Sequence, residues 1–260
     1  MSTPPRFSIV VPLYDCRDAG LGTLESSLAQ RYPRDRFEVI AVIDAASPPI
    51  ADALHDCDHT VAVEADFDGV ECEMGLFDAG VRKARGDYLY FIEGHTVLER
   101  DALGALDAHL SRHPDSAIVC GRRRNHARTA LGRLVGSNND AHEGRARRRG
   151  DFTLGANCVI RRSVFDRLGG LDPRFTRFSE TVLYDRARNA GERIDVVDAI
   201  LCTHHNDTGF RWLIRLLIAT GRAKARYYGS AELDAGRSRI RHPVYRWLDP
   251  LPVALISIVP

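Results

Sequence analysis

The sequence predicts an α/β fold with a mostly parallel sheet flanked by helices and a helical appendage at its C-terminal end. Short, continuously apolar runs rich in β-branched residues, such as Phe7–Leu13, are typical of strands that are buried on both faces. These runs alternate with segments of helical periodicity. Because alternating strands and helices form right-handed crossovers, most strands of the predicted sheet run parallel.

The predicted elements follow one another along the chain. In the first half they are a strand at 7–13, a helix with Leu21, Leu24 and Leu28 on one face, strands at 37–43 and 60–63, a helix at 72–84 and a strand at 88–92. In the second half they are a strand at 117–120, a strand within 152–160, helices at 161–168 and 181–190, a strand at 194–202 and a basic amphipathic helix at 210–228. Segment 121–150 has nine arginines, two acids and the composition of a loop.

Composition argues against several classes of protein. The 260 residues carry a net charge of +1, and 27% of them are charged, so neither a disordered tail nor a nucleic-acid-binding protein is expected. The sequence shows no secretory signal and no apolar run long enough to span a bilayer. Its six scattered cysteines fit a reducing compartment. Together these observations predict a cytoplasmic protein.

Three segments predict contacts with partners. The basic amphipathic helix at 210–228 fits a peripheral position at a membrane surface. The apolar run 251–259 fits a membrane contact, a homo-oligomer contact or the edge of a core. The Arg-rich segment 121–150 fits an anionic group such as a diphosphate or a lipid phosphate, and it equally fits a solvated loop.

Known nucleotide and esterase motifs are missing, so the ends of the strands carry the functional signal. The sequence contains no GxGxxG, no GxxxxGK[ST] and no GxSxG. Ligands of parallel sheets bind beyond the carboxyl ends of the strands. The polar residues at these ends are Tyr14, Asp15, Asp44, Glu93 and His95.

Five segments, in order and spacing, resemble the family-two glycosyltransferases of GT-A fold. They are FSIVVPLYD, VIDAAS, ARGDYLYFIEGHTVLERDAL, GANCVIRRSVFDRLGGLDPRF and SETVLYDRARNAGERI, and the match extends over about residues 6–228. The resemblance implies a GT-A-like, Rossmann-related catalytic domain at 1–207, with a nucleotide-sugar half near 1–120 and an acceptor half near 121–207. An amphipathic helical extension then occupies 208–260.

The same resemblance implies the reaction and the donor site. It implies metal-assisted, inverting transfer of a hexosyl-type sugar from a nucleotide-diphosphate donor to a hydroxyl acceptor, which is lipid-linked or anionic in one interpretation. Ala45 stands where the family usually has a second polar residue, so Asp44 must act alone. The donor-binding residues implied are Pro12, Tyr14, Asp15, Asp44, Glu93, Gly155 and Asn157.

The resemblance also implies a divalent metal ion. Glu93 and His95 stand where the family has Asp-x-Asp, and because imidazole suits Mn²⁺ better than Mg²⁺, this pair favours Mn²⁺. His204 or His205 matches a further family ligand. Adjacent side chains of an extended chain point to opposite sides, so only one of the two should face the site. A degraded motif that binds no metal is the alternative.

Glu180 matches the family's general base, which takes the proton of the acceptor hydroxyl. The alternative is a structural glutamate that opens a helix. Ala45, Glu93 and Ser179 depart from the family pattern, which leaves open a non-catalytic relative that binds a nucleotide sugar or a partner enzyme. A nucleotidyltransferase is disfavoured because no Gly-rich basic loop follows the first strand, and a polymerising synthase because QxxRW is missing.

Overall fold

A computed structural model describes residues 4–13, 18–44, 54–63, 73–149, 157–207 and 209–229. Its strands are β1 (Phe7–Leu13), β2 (Phe37–Asp44), β3 (His59–Val63), β4 (Tyr88–Phe91), β5 (Thr96–Leu98), β6 (Ser116–His126), β7 (Cys158–Arg161) and β8 (Arg193–His205). Its helices are α1 (Asp18–Leu28), α2 (Glu73–Val81), α3 (Ala102–Arg112), α4 (Ala130–Arg149), α5 (Arg162–Arg167), α6 (Ser179–Asn189) and α7 (Phe210–Tyr228). The 3₁₀ segment Pro173–Phe178 leads into α6.

The strands of the described residues form one eight-stranded sheet in the order β3-β2-β1-β4-β7-β6-β8-β5. Six strands run in one direction, and only β7 and β5 run against their neighbours. The predicted α/β fold with a mostly parallel sheet flanked by helices is therefore confirmed. Because β4, β6 and β8 are parallel, their carboxyl ends meet at one edge of the sheet.

Two hydrophobic layers cover the faces of the sheet. In β1, residues Phe7 and Ile9 pack in the layer that contains Leu24 of α1 and Leu103 of α3. Val10, the residue after Ile9, faces the opposite layer. That second layer contains Leu76 of α2, Phe165 of α5 and Leu183 of α6. Burial on both faces explains why this strand is apolar except for Ser8.

Most of the described part of the Arg-rich segment, residues 121–149, is not a loop. Its first residues extend β6, in which positions from Gly121 to His126 alternate between half-buried and exposed, and Ala130–Arg149 forms α4. The backbone of β6 pairs with β8 over its whole length, while the exposed side chains stay in water. Before α4, the carboxylate of Asp207 accepts hydrogen bonds from the backbone N–H groups of Arg128 and Thr129. Composition suggested a loop because these elements bury little apolar surface.

Helix α7 forms at the predicted amphipathic segment and packs against the 3₁₀ segment that precedes α6. The ring of Tyr227 lies 6.2 Å from that of Phe175 and 5.7 Å from that of Phe178, measured between ring centroids. Its hydroxyl group donates to a carboxylate oxygen of Asp185 in α6. Within the described ranges, no helix combines the length and the apolar character needed to cross a bilayer.

Candidate functional site

Three side chains with metal-binding atoms meet at the carboxyl edge of the sheet. Glu93 follows β4, His95 precedes β5, and His204 is near the end of β8. The pairing of Thr96 with His204 brings these segments together. Nε2 of His204 lies 2.9 Å from Oε2 of Glu93 and 2.9 Å from Nε2 of His95. The distance from Nε2 of His95 to Oε2 of Glu93 is 3.5 Å.

The chemistry of this cluster fits a divalent transition-metal ion. Two imidazole nitrogens and a carboxylate oxygen converge, and all three atoms lie within 4.8 Å of one another. Imidazole and carboxylate together suit ions such as Mn²⁺, whereas Mg²⁺ prefers oxygen ligands alone. Two imidazole nitrogens at 2.9 Å need a shared proton or a shared cation between them, because facing lone pairs repel.

The surroundings of Glu93 favour the ionised form of its carboxyl group. Burial on its own would raise the pKa of Glu93, but the hydrogen bond and charge of His204, with the charges of His95 and Arg123, lower it below its usual value. Only 17% of the side chain is exposed. A charged oxygen that is shielded from water is a strong ligand for a cation.

Of the two adjacent histidines at the end of β8, only His204 joins the cluster. The ring of His205 packs against that of His126, with a centroid distance of 5.2 Å. Burial lowers the pKa of His205, and the nearby His126 and His204 lower it further. His205 contributes its backbone N–H, which donates to the carbonyl oxygen of His95. Alternation along the strand therefore separates the two side chains.

Gly94 has a steric role between the two ligand residues Glu93 and His95. A side chain at this position would overlap the carbonyl oxygen of Pro12, which is buried in β1. The close approach of the two backbones lets the chain leave β4 beside β1 and turn back into β5. Pro12 thus contributes to the site by packing against the turn that carries the cluster.

Glu180 and Glu93 line the same cavity, which is open to solvent. Glu180 lies in the first turn of α6, one residue after its start at Ser179. Burial raises the pKa of the Cys158 thiol, and the neighbouring Cys120 and the charge of Glu180 raise it further. The other lining residues are Met74, Phe77, Phe91, Ile160, Leu171 and Leu183. The acid predicted as the base therefore shares a cleft with the end of β4.

The remaining predicted donor residues are in different situations. Asn157 is buried, and its amide is engaged internally: Oδ1 accepts from the hydroxyl of Tyr90 at 2.7 Å, and Nδ2 donates to the carbonyls of Arg122 and Ile200. These bonds tie β7 to β4, β6 and β8, and they disfavour the prediction that this amide binds sugar hydroxyls. Asp44 is the last residue of β2. Tyr14, Asp15 and Gly155 lie outside the described residues.

One residue at the site was not singled out by the sequence. Arg123 in β6 is close enough to Glu93 to lower the pKa of its carboxyl group. In the sequence it stands among nine arginines of segment 121–150, and nothing there separates it from the others. Its place in a strand of alternating exposure is what identifies it.

Taken together, the sheet order and the acidic and histidine groups at its carboxyl edge define an α/β protein of the GT-A type. The family model described as "Glycosyltransferase like family 2" matches residues 4–222. The chain therefore belongs to glycosyltransferase family 2.

Individual relatives agree with this assignment. The probable glycosyltransferase YdaM of Bacillus subtilis (strain 168) is 25% identical over 207 residues, which are 75% of this chain and 49% of that protein. The chain thus spans about half the length of this curated relative. The mannosyltransferase PcManGT from Pyrobaculum calidifontis, solved with GDP-Man and Mn²⁺, superposes with a TM-score of 0.62 at 18% identity, covering 98% of this chain and 74% of that one. TarS 1-349 from S. aureus, solved with UDP, superposes with a TM-score of 0.60 at 13% identity, covering 98% of this chain and 81% of that one. At these identities the structures establish the fold.

Proposed function

We propose that this protein transfers a hexosyl group from a nucleotide-diphosphate sugar to a hydroxyl acceptor, with inversion at the anomeric carbon. The observation that carries the proposal is the shared cavity of Glu93 and Glu180, because an acceptor and a donor diphosphate that met in this cavity would each have a carboxylate within it. Membership of glycosyltransferase family 2 supports the reaction class. The bound ligands of the two structural relatives, UDP and GDP-Man, support a nucleotide-diphosphate donor.

In this mechanism Glu180 acts as the general base. The acceptor oxygen forms a bond to the anomeric carbon while its proton passes to the Glu180 carboxylate. The bond between the anomeric carbon and the β-phosphate oxygen breaks, and its electron pair leaves with the nucleoside diphosphate. Attack from the side opposite the leaving group inverts the configuration. A positioned base of this kind contributes about 10²–10⁴-fold to the rate.

Glu93, His95 and His204 would hold the divalent ion, with Mn²⁺ favoured over Mg²⁺ by the two imidazole ligands. When bound, the ion neutralises charge on the donor diphosphate. The Mn²⁺ in the mannosyltransferase relative supports this choice. The role of the protein is to fix three ligand atoms on a rigid sheet edge, close to the acid that receives the proton.

A thermal-shift screen of nucleotide-diphosphate sugars, with and without Mn²⁺, tests the proposal together with an assay for sugar release. We expect one donor to raise the melting temperature, more so with Mn²⁺ than with Mg²⁺, and to be consumed. Stabilisation by a donor that is never consumed, with any acceptor supplied, would favour the non-catalytic relative. No stabilisation by any donor would reject nucleotide-sugar binding altogether.

We further propose that α7 places the enzyme peripherally on the cytoplasmic side of an anionic membrane, where a lipid-linked acceptor would be presented. Three large apolar side chains form a ridge along its outer face, with Phe210, Ile214 and Ile218 exposed by 68%, 41% and 51%. A neighbouring ridge is basic, and the helix contains no acid. The basic residues of α7 are Arg211, Arg215, Arg222, Lys224 and Arg226. Apolar insertion beside anionic headgroups suits such a surface.

Vesicle sedimentation tests this surface. We expect the protein to bind vesicles that contain phosphatidylglycerol and not vesicles of phosphatidylcholine alone, and to be released by salt, because the basic ridge must contact headgroups. The double variant with Phe210→Ser and Ile218→Ser should not bind the vesicles. Leu21→Ser, which changes an exposed leucine of α1, should bind them like the wild type. The proposal would be contradicted if the double variant bound vesicles as well as the wild type does. It would also be contradicted if the two substitutions changed the oligomeric state and left vesicle binding intact.

A further inference from the structure

We propose that Arg123 contacts the diphosphate of the donor and stabilises the charge that develops there as the sugar leaves. This inference rests on the proposed glycosyl transfer and assigns to Arg123 a part in the reaction that the family pattern did not imply. The argument uses the position of Arg123 in β6, its partners and its electrostatic environment.

Arg123 is on the side of β6 that faces the metal-binding cluster. It pairs with Cys202 of β8, and Asn125, two residues further on, pairs with His204. Because side chains alternate along a strand, Arg123 and His204 lie on one face of the sheet. The neighbouring Arg122 and Arg124 point the other way and are exposed. Only 17% of the Arg123 side chain is exposed.

The guanidinium group of Arg123 is incompletely satisfied by the described part of the chain. Its nearest acid there is Glu143 of α4, with Nε and Oε2 separated by 3.6 Å. This separation is longer than a hydrogen bond. Nε is buried and has no hydrogen-bond partner among the described residues. A buried donor without an acceptor costs free energy, which a ligand with anionic oxygens would recover.

The charges around Arg123 suit a diphosphate. Arg123 pairs with Cys202, two residues before His204 on the same face of the sheet, so its positive charge lies on the side of the cluster where the donor phosphates are expected. A guanidinium fork matches two phosphate oxygens at once. The Glu143 carboxylate balances the charge of Arg123 before the donor binds, and Nε, which Glu143 does not reach, can then donate to the diphosphate.

The contribution to the reaction follows from where charge develops. As the bond from the anomeric carbon to the β-phosphate oxygen breaks, its electron pair remains on that oxygen and the acceptor proton passes to Glu180. Negative charge therefore grows on the diphosphate in the transition state. A preorganised donor aimed at such charge accelerates the reaction by more than it tightens ground-state binding.

Nucleotide binding and turnover of Arg123→Gln, measured with Mn²⁺ present, test the inference. We expect the affinity for UDP or GDP, whichever the wild type binds, to fall about tenfold or more, and that for the matching monophosphate to change little, since only the diphosphate reaches the guanidinium. The kcat should fall about 10²–10³-fold, the loss typical of one oxyanion-stabilising donor. Arg123→Lys keeps the charge without the guanidinium fork, so its diphosphate affinity and its kcat should lie between those of Arg123→Gln and the wild type.

Two further variants separate this role from a structural one. Arg124→Gln, one position along the same strand on the exposed face, should behave like the wild type, because its guanidinium lies 3.8 Å from Glu99 and away from the cluster. Glu143→Gln removes the carboxylate of α4 and should preserve the ratio of diphosphate to monophosphate affinity. If Arg123→Gln and Glu143→Gln lower the melting temperature alike and both preserve that ratio, Arg123 serves only to hold α4, and the inference is overturned.

The outcome also distinguishes this inference from the proposed function. A wild-type protein that binds no nucleoside diphosphate and consumes no donor rejects the glycosyl-transfer proposal itself. If the wild type binds the diphosphate and transfers sugar, and Arg123→Gln has the same affinity and the same transfer rate, only the role of Arg123 is rejected.

Discussion

Glu180→Gln is expected to lower the rate of sugar transfer about 10²–10⁴-fold, because an amide cannot take the proton of the acceptor hydroxyl. Donor binding should remain, since the amide keeps the size of the side chain and Glu180 is not one of the three cluster residues. The effect should therefore appear in kcat and not in the affinity for the nucleotide sugar. Single-turnover transfer together with donor titration measures both quantities.

A matched control is available beyond the other end of α6. Glu192 pairs with Arg167 and lies outside the cavity, so Glu192→Gln should transfer sugar at the wild-type rate. If Glu180→Gln retains full activity, the base lies elsewhere and the assignment of Glu180 is wrong. If neither variant nor the wild type transfers sugar while all three bind the donor, the non-catalytic alternative is favoured.

His204→Gln is expected to produce the second large effect, on metal binding. Nε2 of His204 lies 2.9 Å from each of the other two ligand atoms, so its loss opens one side of the cluster. Affinity for Mn²⁺ should fall by at least the 10–100-fold that loss of even an outer-shell partner typically costs. Isothermal titration with Mn²⁺ alone measures this directly and does not depend on turnover.

The neighbouring residue provides the control for this prediction. His205→Gln changes the same side chain one position along β8, where the ring packs against His126 instead of the cluster. Its affinity for Mn²⁺ should match that of the wild type. Equal losses of Mn²⁺ affinity in the two variants would mean that both substitutions disturb the end of β8 generally. A loss of affinity in His205→Gln alone would show that His205, and not His204, is the ligand.

The sequence predicted the sheet well because its central strands are buried on both faces and therefore read as uninterrupted apolar runs. Phe7–Leu13 forms the strand at the predicted bounds, and the carboxyl-end location of Glu93 followed directly from the parallel arrangement. Glu180 could be placed at the start of a helix, but its presence in the same cavity as Glu93 depends on how α6 packs, which the local sequence pattern does not encode.

Other features were hidden because their stabilising contacts are distant in sequence. The three residues of β5 carry too short a pattern to predict, and their pairing with β8 is what selects His204 over His205. The arginines of β6 looked like a solvated loop because the strand is held by backbone pairing and not by apolar burial. Asn157 resembled a ligand-binding amide until its partners in three other strands were known.

The cluster at the edge of the sheet has a thermodynamic consequence. His95 and His204 are 109 residues apart in the chain, so an unfolded polypeptide does not present them together. An ion that binds only the native state shifts the unfolding equilibrium, by about 2.7 kcal/mol when its concentration is a hundred times its dissociation constant. If the cluster binds Mn²⁺ as proposed, the conformational stability of the protein should rise with the free Mn²⁺ concentration, and removal of the ion should make the chain easier to denature.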